Sequence, residues 1–249
     1  RNNPISVIPQ PKLTADHEVR AKWLSAEDAR RLVAVAEADS ATMFGVVVLG
    51  LCRGLRRGEI LGLRWDDIDI DAALIRIRRR LREERIRGTD GTFVTVLKPG
   101  PPKTKTSVRD IAIDATVARA LSRLRTEQAR HRLKAGSDWH KSGYIFTNAA
   151  GDPLWPSNVY RRFKQLIAQH GFPEISLHDL RRTFANLAIE GDARIEQVSE
   201  ALGHSSVEVT KSVYIGSSPA LARRAFEQFD GFFYDQPANS KLRIAEEGA

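Results

Sequence analysis

Two hydrophobic periods alternate along this chain, and the place where one gives way to the other limits the folds open to it. From Ser25 onward the period is helical: Ala29, Leu32, Val33 and Ala36 form one stripe, Ser25 can cap it, and Glu27 and Asp28 suit the positive end of its dipole. Residues 43–51 are apolar almost throughout and read as a buried helix; residues 57–63 read as a short one after a glycine turn. The period then drops to two in three runs, 74–78 (Leu-Ile-Arg-Ile-Arg), 92–96 (Thr-Phe-Val-Thr-Val) and 109–113 (Arg-Asp-Ile-Ala-Ile), with Gly/Pro clusters between them. Alternation with Thr, Val and Ile predicts strands, and three short ones predict a small antiparallel sheet. Helical spacing resumes behind Asp114, which caps a long amphipathic helix to about residue 134, and again after Ser157, Ser176 and Ser218-Pro219. The expected fold class is therefore α+β, mostly α-helical with one small three-stranded antiparallel sheet. No internal repeat interrupts this order.

Some function classes fall away on composition. The chain has 249 residues, 42% of them hydrophobic and 28% charged, enough for a sizeable core and unlike a disordered segment. No run reaches the ~18 apolar residues of a membrane span. The single cysteine, Cys52, precludes an internal disulfide, which fits a reducing compartment; lying in an apolar run, it reads as a small core residue. Lys and Arg total 39 against 31 acids, a formal charge of +8, which favours polyanions such as nucleic acid. Arginine is concentrated between 76 and 87, at Arg76, Arg78, Arg79, Arg80, Arg82, Arg85 and Arg87, and its planar fork suits phosphate better than an ammonium does. The acidic run 65–71 invites a metal reading, but it lacks the glycine turn and closing Glu of a calcium loop, so a solvated turn before a strand is expected.

Breaking a phosphodiester requires a nucleophile for phosphorus, positive donors for the non-bridging oxygens and an acid for the leaving oxygen. Five phrases supply candidates: GLRRGEI (54–60), PPKTKTSVR (101–109), LHDLRRT (177–183), LGHSS (202–206) and KSVYIG (211–216). Arg56 lies between Gly54 and Gly58, near a helix start whose amides also face an anion; taken alone it reads as a surface arginine on a helix end. Lys103 and Lys105 sit in a Pro/Gly-rich connection between strands, where a flexible lysine could swing in to donate a proton or could simply touch a DNA backbone. His178 and Arg181, three apart, share a helix face, and Arg182 points elsewhere. His204 follows a helical pattern at 195–202, and Tyr214 comes ten residues later. In isolation, 194–213 also reads as a helix-turn-helix with a second helix from about 206, in which His204 is a turn residue and Tyr214 is core.

Taken together and in this order, the phrases resemble the catalytic domain of the tyrosine recombinases, the phage-integrase type of site-specific DNA recombinase, over roughly residues 25–230. The resemblance implies Arg56 and Arg181 as catalytic arginines, Lys103 as general acid with Lys105 left open, His178 as proton acceptor, His204 as a phosphate hydrogen-bonder and Tyr214 as nucleophile. Glu59 is implied as a structural partner of Arg56. The chain departs from the pattern at Cys52-Arg53, where such proteins often carry Thr or Tyr. The implied activity is metal-free: Tyr214 attacks the scissile phosphate, a 3′-phosphotyrosyl link forms and a 5′-hydroxyl leaves, with no cofactor. The implied partners are a double-stranded DNA attachment site, a homotetramer on two duplexes, and accessory DNA-bending or directionality proteins, in the cytoplasm of a bacterial cell and nucleoid-associated when DNA-bound. The Pro-Lys-Thr-Lys-Thr stretch leans towards a phage or mobile element.

Domain boundaries follow. Residues 1–20, with Pro4, Pro9 and Pro11, are expected to be the linker from a missing N-terminal DNA-binding domain, since the chain opens on Arg1. Residues 21–233 form the catalytic domain and 234–249 a flexible tail. Leu221, Ala225, Phe226 and Phe229 give 218–233 an apolar helix face suited to docking in trans. Three rivals stand: a type IB topoisomerase-like enzyme, a non-catalytic helix-turn-helix regulator and a metal nuclease.

Overall fold

A computed structural model describes residues 23–89, 91–102 and 107–203. The apolar run beginning at Ala41 becomes the central post of the fold. Helix α1 (Ala26–Asp39) ends at Ser40, whose hydroxyl accepts from the Met43 N–H and so starts α2 (Ala41–Arg53) without a loop between them. Along α2 every residue from Ala41 to Leu51 except Thr42 is buried. Such a helix must be covered on all sides. α1, α4 (Ala115–Ala135) and α6 (Leu177–Glu190) cover it, and α3 (Arg57–Gly62) packs at its end. The β-branched Val46, Val47 and Val48 favour strands by propensity, yet full burial keeps them helical here. Each such side chain contributes roughly 1.5–3 kcal/mol by leaving water.

Caps fall where the sequence places them. Ser25 accepts from the Asp28 N–H and Asp114 from the Val117 N–H. At Ser176 the main-chain N–H and the hydroxyl both donate to Asp179 Oδ2, closing the first turn of α6. Helix α5 (Pro156–Gln169) starts one residue before Ser157, because Pro156 takes the first helical position where its missing N–H costs nothing. Helix α7 (Ile195–Leu202) packs on α6 through a small separate cluster of Ala185, Ile189, Val198 and Leu202.

The sheet needs correction in its membership. Three strands do pair antiparallel, but they are β1 (Ile68–Asp69), β2 (Leu74–Ile77) and β5 (Arg109–Ala112), in the order β1-β2-β5. The run at 92–96 belongs elsewhere: β4 (Phe93–Gly100) pairs with β3 (Arg80–Arg87) as a separate two-stranded hairpin, Arg80 opposite Gly100 and Arg87 opposite Phe93. Sequence reading overlooked β3 because its alternation is carried by arginine and glutamate, not by apolar residues. The acidic turn is also less solvated than expected. Asp67 is 1% exposed, pairs with Arg79 and accepts from the Arg64 N–H at 2.9 Å, while Asp69 pairs with Arg76. Cys52 is half-buried against the core as expected, and burial pushes its thiol pKa up. Among the described residues no helix is long and apolar enough to cross a membrane.

Candidate phosphate-binding site

Three elements converge where α2 ends. Gly54 adopts the left-handed conformation, φ +63°, and turns the chain from α2 into the extended Leu55-Arg56 pair before α3. A side chain there would be strained and would also meet Leu202 Cδ2 at 2.5 Å and Phe184 Cδ1 at 2.8 Å, so α6 and α7 approach this turn closely because it is glycine.

Arg56 is the residue before α3. Its backbone N–H donates to Glu59 Oε2 at 3.1 Å, and its guanidinium donates to Glu59 Oε1 at 2.8 Å and Ser107 Oγ at 3.3 Å. Glu59 is 2% exposed and also accepts from Arg109 Nη2 at 3.2 Å. Burial alone would raise the Glu59 carboxyl, but the charges of Arg109 and Arg56 and the hydrogen bonds from Arg56 outweigh it and hold the pKa below the ordinary carboxylate value. Glu59 is therefore an anion that orients two arginines, as the resemblance implied, and not a base.

Arg181 comes from the first turns of α6 and is 2% exposed. Its fork reaches in two directions: Nη1 donates to the Gly54 carbonyl at 2.7 Å and Nη2 to the Leu202 carbonyl at 2.8 Å. A single guanidinium thus ties the turn before Arg56 to the end of α7. His178 lies three residues earlier, exposed at the edge of a cavity of about 380 Å³ that it lines together with Arg56, Arg57, Gly58 and Tyr160. Burial lowers its pKa first, the charges of Arg182, Arg181 and Arg56 lower it further, and Asp179 opposes them. The imidazole is held neutral and able to accept a proton.

The structure brings together Arg56, His178 and Arg181, whose numbers are far apart. Lys103, Lys105, His204 and Tyr214 lie outside the described residues, as do the second helix of the helix-turn-helix reading and residues 1–20, 218–233 and 234–249. Two described anchors adjoin those segments. Ser107, fully buried, accepts from Arg56, and the last residues of α7 accept from Arg109 Nε (Ala201 carbonyl, 2.9 Å) and from Arg181. Arg109 was missed as a site residue. Its signal was present, for it closes the PPKTKTSVR phrase, but its partners Glu59 and Ala201 are 50 and 92 positions away. Tyr160 and Arg57, which flank the cavity at 5.9 Å from guanidinium carbon to ring centre, were missed as well.

The profile of the phage integrase family matches residues 22–220. The chain belongs to the phage integrase family. Its similarity extends to a tyrosine recombinase XerC-like protein of Caldanaerobacter subterraneus subsp. tengcongensis, 32% identical over 75% of this chain and 48% of that protein. The ICEBs1 integrase of Bacillus subtilis is 26% identical over 92% of this chain and 59% of its own length. The chain spans about half the length of curated relatives it matches, 48% of the XerC-like protein and 51% of an integrase of Streptomyces ambofaciens. Among solved structures, the Tn1549 transposon integrase in complex with transposon right end DNA matches at a TM-score of 0.69, with 20% identity, over 92% of this chain and 72% of that one. The XerA recombinase matches at 0.61, with 21% identity, over 84% and 65%. These two likenesses carry the fold: a mostly helical phage-integrase catalytic fold with small antiparallel sheets.

Proposed function

We propose that this chain is the catalytic part of a site-specific DNA recombinase, an integrase of a phage or other mobile element, that cleaves and rejoins strands through a 3′-phosphotyrosyl intermediate. The observation that carries the reading is the convergence of Arg56, His178 and Arg181 at one turn and one cavity edge, with a buried anion, Glu59, fixing the first arginine. The names of the relatives point the same way.

In this reading the scissile phosphate enters beside Arg56 and Arg181, whose positive charge meets the charge spread over its non-bridging oxygens. The Tyr214 hydroxyl oxygen forms a bond to phosphorus, its proton passes to His178, the bond from phosphorus to the 5′ oxygen breaks, and Lys103 protonates that oxygen. A phenol of pKa about 10 needs such an acceptor at neutral pH. His178 is suited to it, because the arginines that keep it neutral are offset once the phosphate anion arrives. His204 donates to the same phosphate. Attack by another strand's 5′-hydroxyl reverses every step, so the phosphodiester energy is retained and strands are exchanged. Residues 1–20 act as the linker from a preceding DNA-binding domain, 21–233 as the catalytic unit and 234–249 as a tail. The assembly is a homotetramer on two duplexes, aided by accessory proteins, with 218–233 docking in trans.

The test is covalent trapping on nicked attachment-site DNA with EDTA present, resolved on a denaturing gel. An adduct formed by the wild type and lost in Tyr214→Phe is expected. Clear DNA binding by both proteins with no adduct from either would replace the recombinase by a DNA-binding regulator.

A further inference from the structure

The phosphate site sits at one end of α2, and helix α4 leads away from it. The two helices run antiparallel. Asp114, which caps the start of α4, pairs with Arg53 at the end of α2 at 2.6 Å. Further along, Leu124 Cδ1 packs so closely on Gly45 that an added Cβ would meet it at 2.7 Å. Gly45 lies roughly 13 Å from Gly54 along α2, at about 1.5 Å per residue. Helix α4 then continues to Ala135, roughly 16 Å further, and none of its residues beyond Leu124 is buried.

One face of this helix forms the wall of a trough. Ala118, Ser122, Arg125, Ala129, Arg132 and Leu133 line it at the three- and four-residue spacing of a single helical stripe. Two cavities, of about 510 and 790 Å³, lie end to end along the stripe and share Trp65 and Arg125. Opposite α4 the first is closed by Ile68, Ile70 and Ile113, the second by Trp139 and Tyr144. The floor between them is fixed by hydrogen bonds. Trp65 Nε1 donates to Gln128 Oε1 at 2.7 Å, and Gln128 Nε2 donates to the carbonyls of Tyr144 and Ile145 at 2.9 and 2.8 Å. Ile70 is 72% and Leu133 85% exposed, so each cavity has an aliphatic side chain standing in water at its rim.

The trough is also cationic. Arg125, Arg132 and Lys141 line it with no acidic partner within 4.0 Å among the described residues. The one acid along it, Asp114, is taken by Arg53, and His140 is paired with Asp152. The Arg125 guanidinium lies 5.3 Å from the Trp65 ring centre, at the seam of the two cavities. Apolar depth with cations above it narrows the occupant. A nucleic-acid backbone gains nothing from recessed isoleucines, and the trough leads away from the phosphate site. A second copy meeting this face with its own would set the same cations against one another. Residues 218–233 of a second copy carry Arg223 and Arg224 against Glu227 and Asp230, so they leave the cations unmatched. An acidic amphipathic helix matches both features. From Ala118 to Leu133 the wall is roughly 22 Å long, about four helical turns, and apolar anchors on one face of such a helix fill the cavities while its carboxylates meet the cations.

We propose that the trough along α4 is a docking site for another protein, and that the segment it takes is an acidic amphipathic helix with apolar or aromatic anchors on one face. The proposal goes beyond the recombinase reading and does not rest on it, because no residue of the trough belongs to the phosphate site.

The experiment measures binding of the full chain to a fluorescein-labelled synthetic peptide of about four helical turns, with leucine and tryptophan on one face and glutamate elsewhere, by fluorescence anisotropy. A scrambled peptide of the same composition keeps the charge and loses the face. The amphipathic peptide is expected to bind at least about tenfold more tightly than the scrambled one. Arg125→Glu/Arg132→Glu, which reverses the charge, and Ala129→Trp, which fills the trough, should each weaken it by at least about tenfold. Equal binding of the two peptides overturns the proposal. So does a loss in the charge variant that Ala129→Trp does not share, since general attraction then explains it. Displacement of the peptide by mixed-sequence duplex DNA makes the trough a nucleic-acid surface instead. Self-association in sedimentation that either variant abolishes assigns it to a second copy. Failure of the trapping assay would remove the recombinase reading and leave each of these outcomes as it stands.

Discussion

Replacing Glu59 by glutamine leaves the shape of the site intact and removes the one charge that both Arg56 and Arg109 face. The side chain is 3% exposed and accepts three hydrogen bonds, two from Arg56 and one from Arg109. Removing one partner from a buried ion pair costs about 3–5 kcal/mol, because the remaining charge stays desolvated. The Arg56 side chain is 28% exposed, so water recovers part of that loss, and a cost of about 3 kcal/mol is expected. For a domain of this size that corresponds to a drop in Tm of about 6–12 °C. The pH dependence gives the reasoning a second handle. Folding lowers the Glu59 pKa, so its contribution is complete above the unfolded value of about 4.3 and disappears as pH falls through the lower folded value. Melting curves of wild type and Glu59→Gln by circular dichroism should therefore differ most near pH 7 and converge in acid. A Tm change under about 2 °C at pH 7, or a gap that persists undiminished in acid, would refute the claim that the carboxylate charge holds the two arginines.

The other expectations concern the proton acceptor, the turn and the acidic run. If His178 accepts the phenol proton, the rate of adduct formation stays level above about pH 6.5, the ordinary imidazole value, and declines only below it, because its pKa is lowered. His178→Asn should slow trapping by about 10²-fold or more, and Arg182→Gln, by removing the charge that most lowers the His178 pKa after burial, should move the acid limb upward. An unchanged limb in Arg182→Gln would count against His178 as the titrating group. Gly54→Ala should cost about 2–4 kcal/mol in chemical denaturation, from the strained φ and the collision with Leu202 and Phe184. Asp67→Asn, which strips a 1%-exposed carboxylate from Arg79, should cost about 3 kcal/mol and leave DNA affinity near that of the wild type; a neutral result would mean that the turn is hydrated.

What the sequence disclosed and what it withheld divide along one physical line. Helix α2 and the caps at Ser25, Asp114 and Ser176 were legible because the information is local: an apolar run too long for a strand, or an oxygen placed three residues from an N–H. The candidate site residues were legible only as phrases, and the family resemblance, not periodicity, gave Arg56, His178 and Arg181 their expected roles. Strand β3 was hidden because Arg and Glu occupy both of its faces beyond Leu81, with Ile86 the one apolar residue there, so no hydrophobic alternation marks it. Asp67 looked solvated because its cation, Arg79, lies across a turn and two strands. Arg109 needed the fold, since its three acceptors come from α3, α7 and the Ser107 carbonyl just before its strand.

Those acceptors show why the phrases occur together. The carbonyls at the end of α7 carry the negative end of the helix dipole, and two guanidiniums, Arg109 and Arg181, occupy the last two of them, Ala201 and Leu202. Arg181 reaches from there to the Gly54 carbonyl, two residues before Arg56, and Arg109 reaches to Glu59, which holds Arg56 itself. The GLRRGE, SVR, LHDLRR and LG segments are thus closed into one ring of charge-assisted hydrogen bonds. A lysine at Arg181 could not keep two carbonyls in opposite directions with one point charge. The arginines of this site therefore act first as structural ties between distant segments, and the same geometry leaves Arg56 and His178 at the edge of an open cavity. In the proposed function the same side chains would meet the phosphate, so the residues that tie the local fold together and those that serve the chemistry coincide.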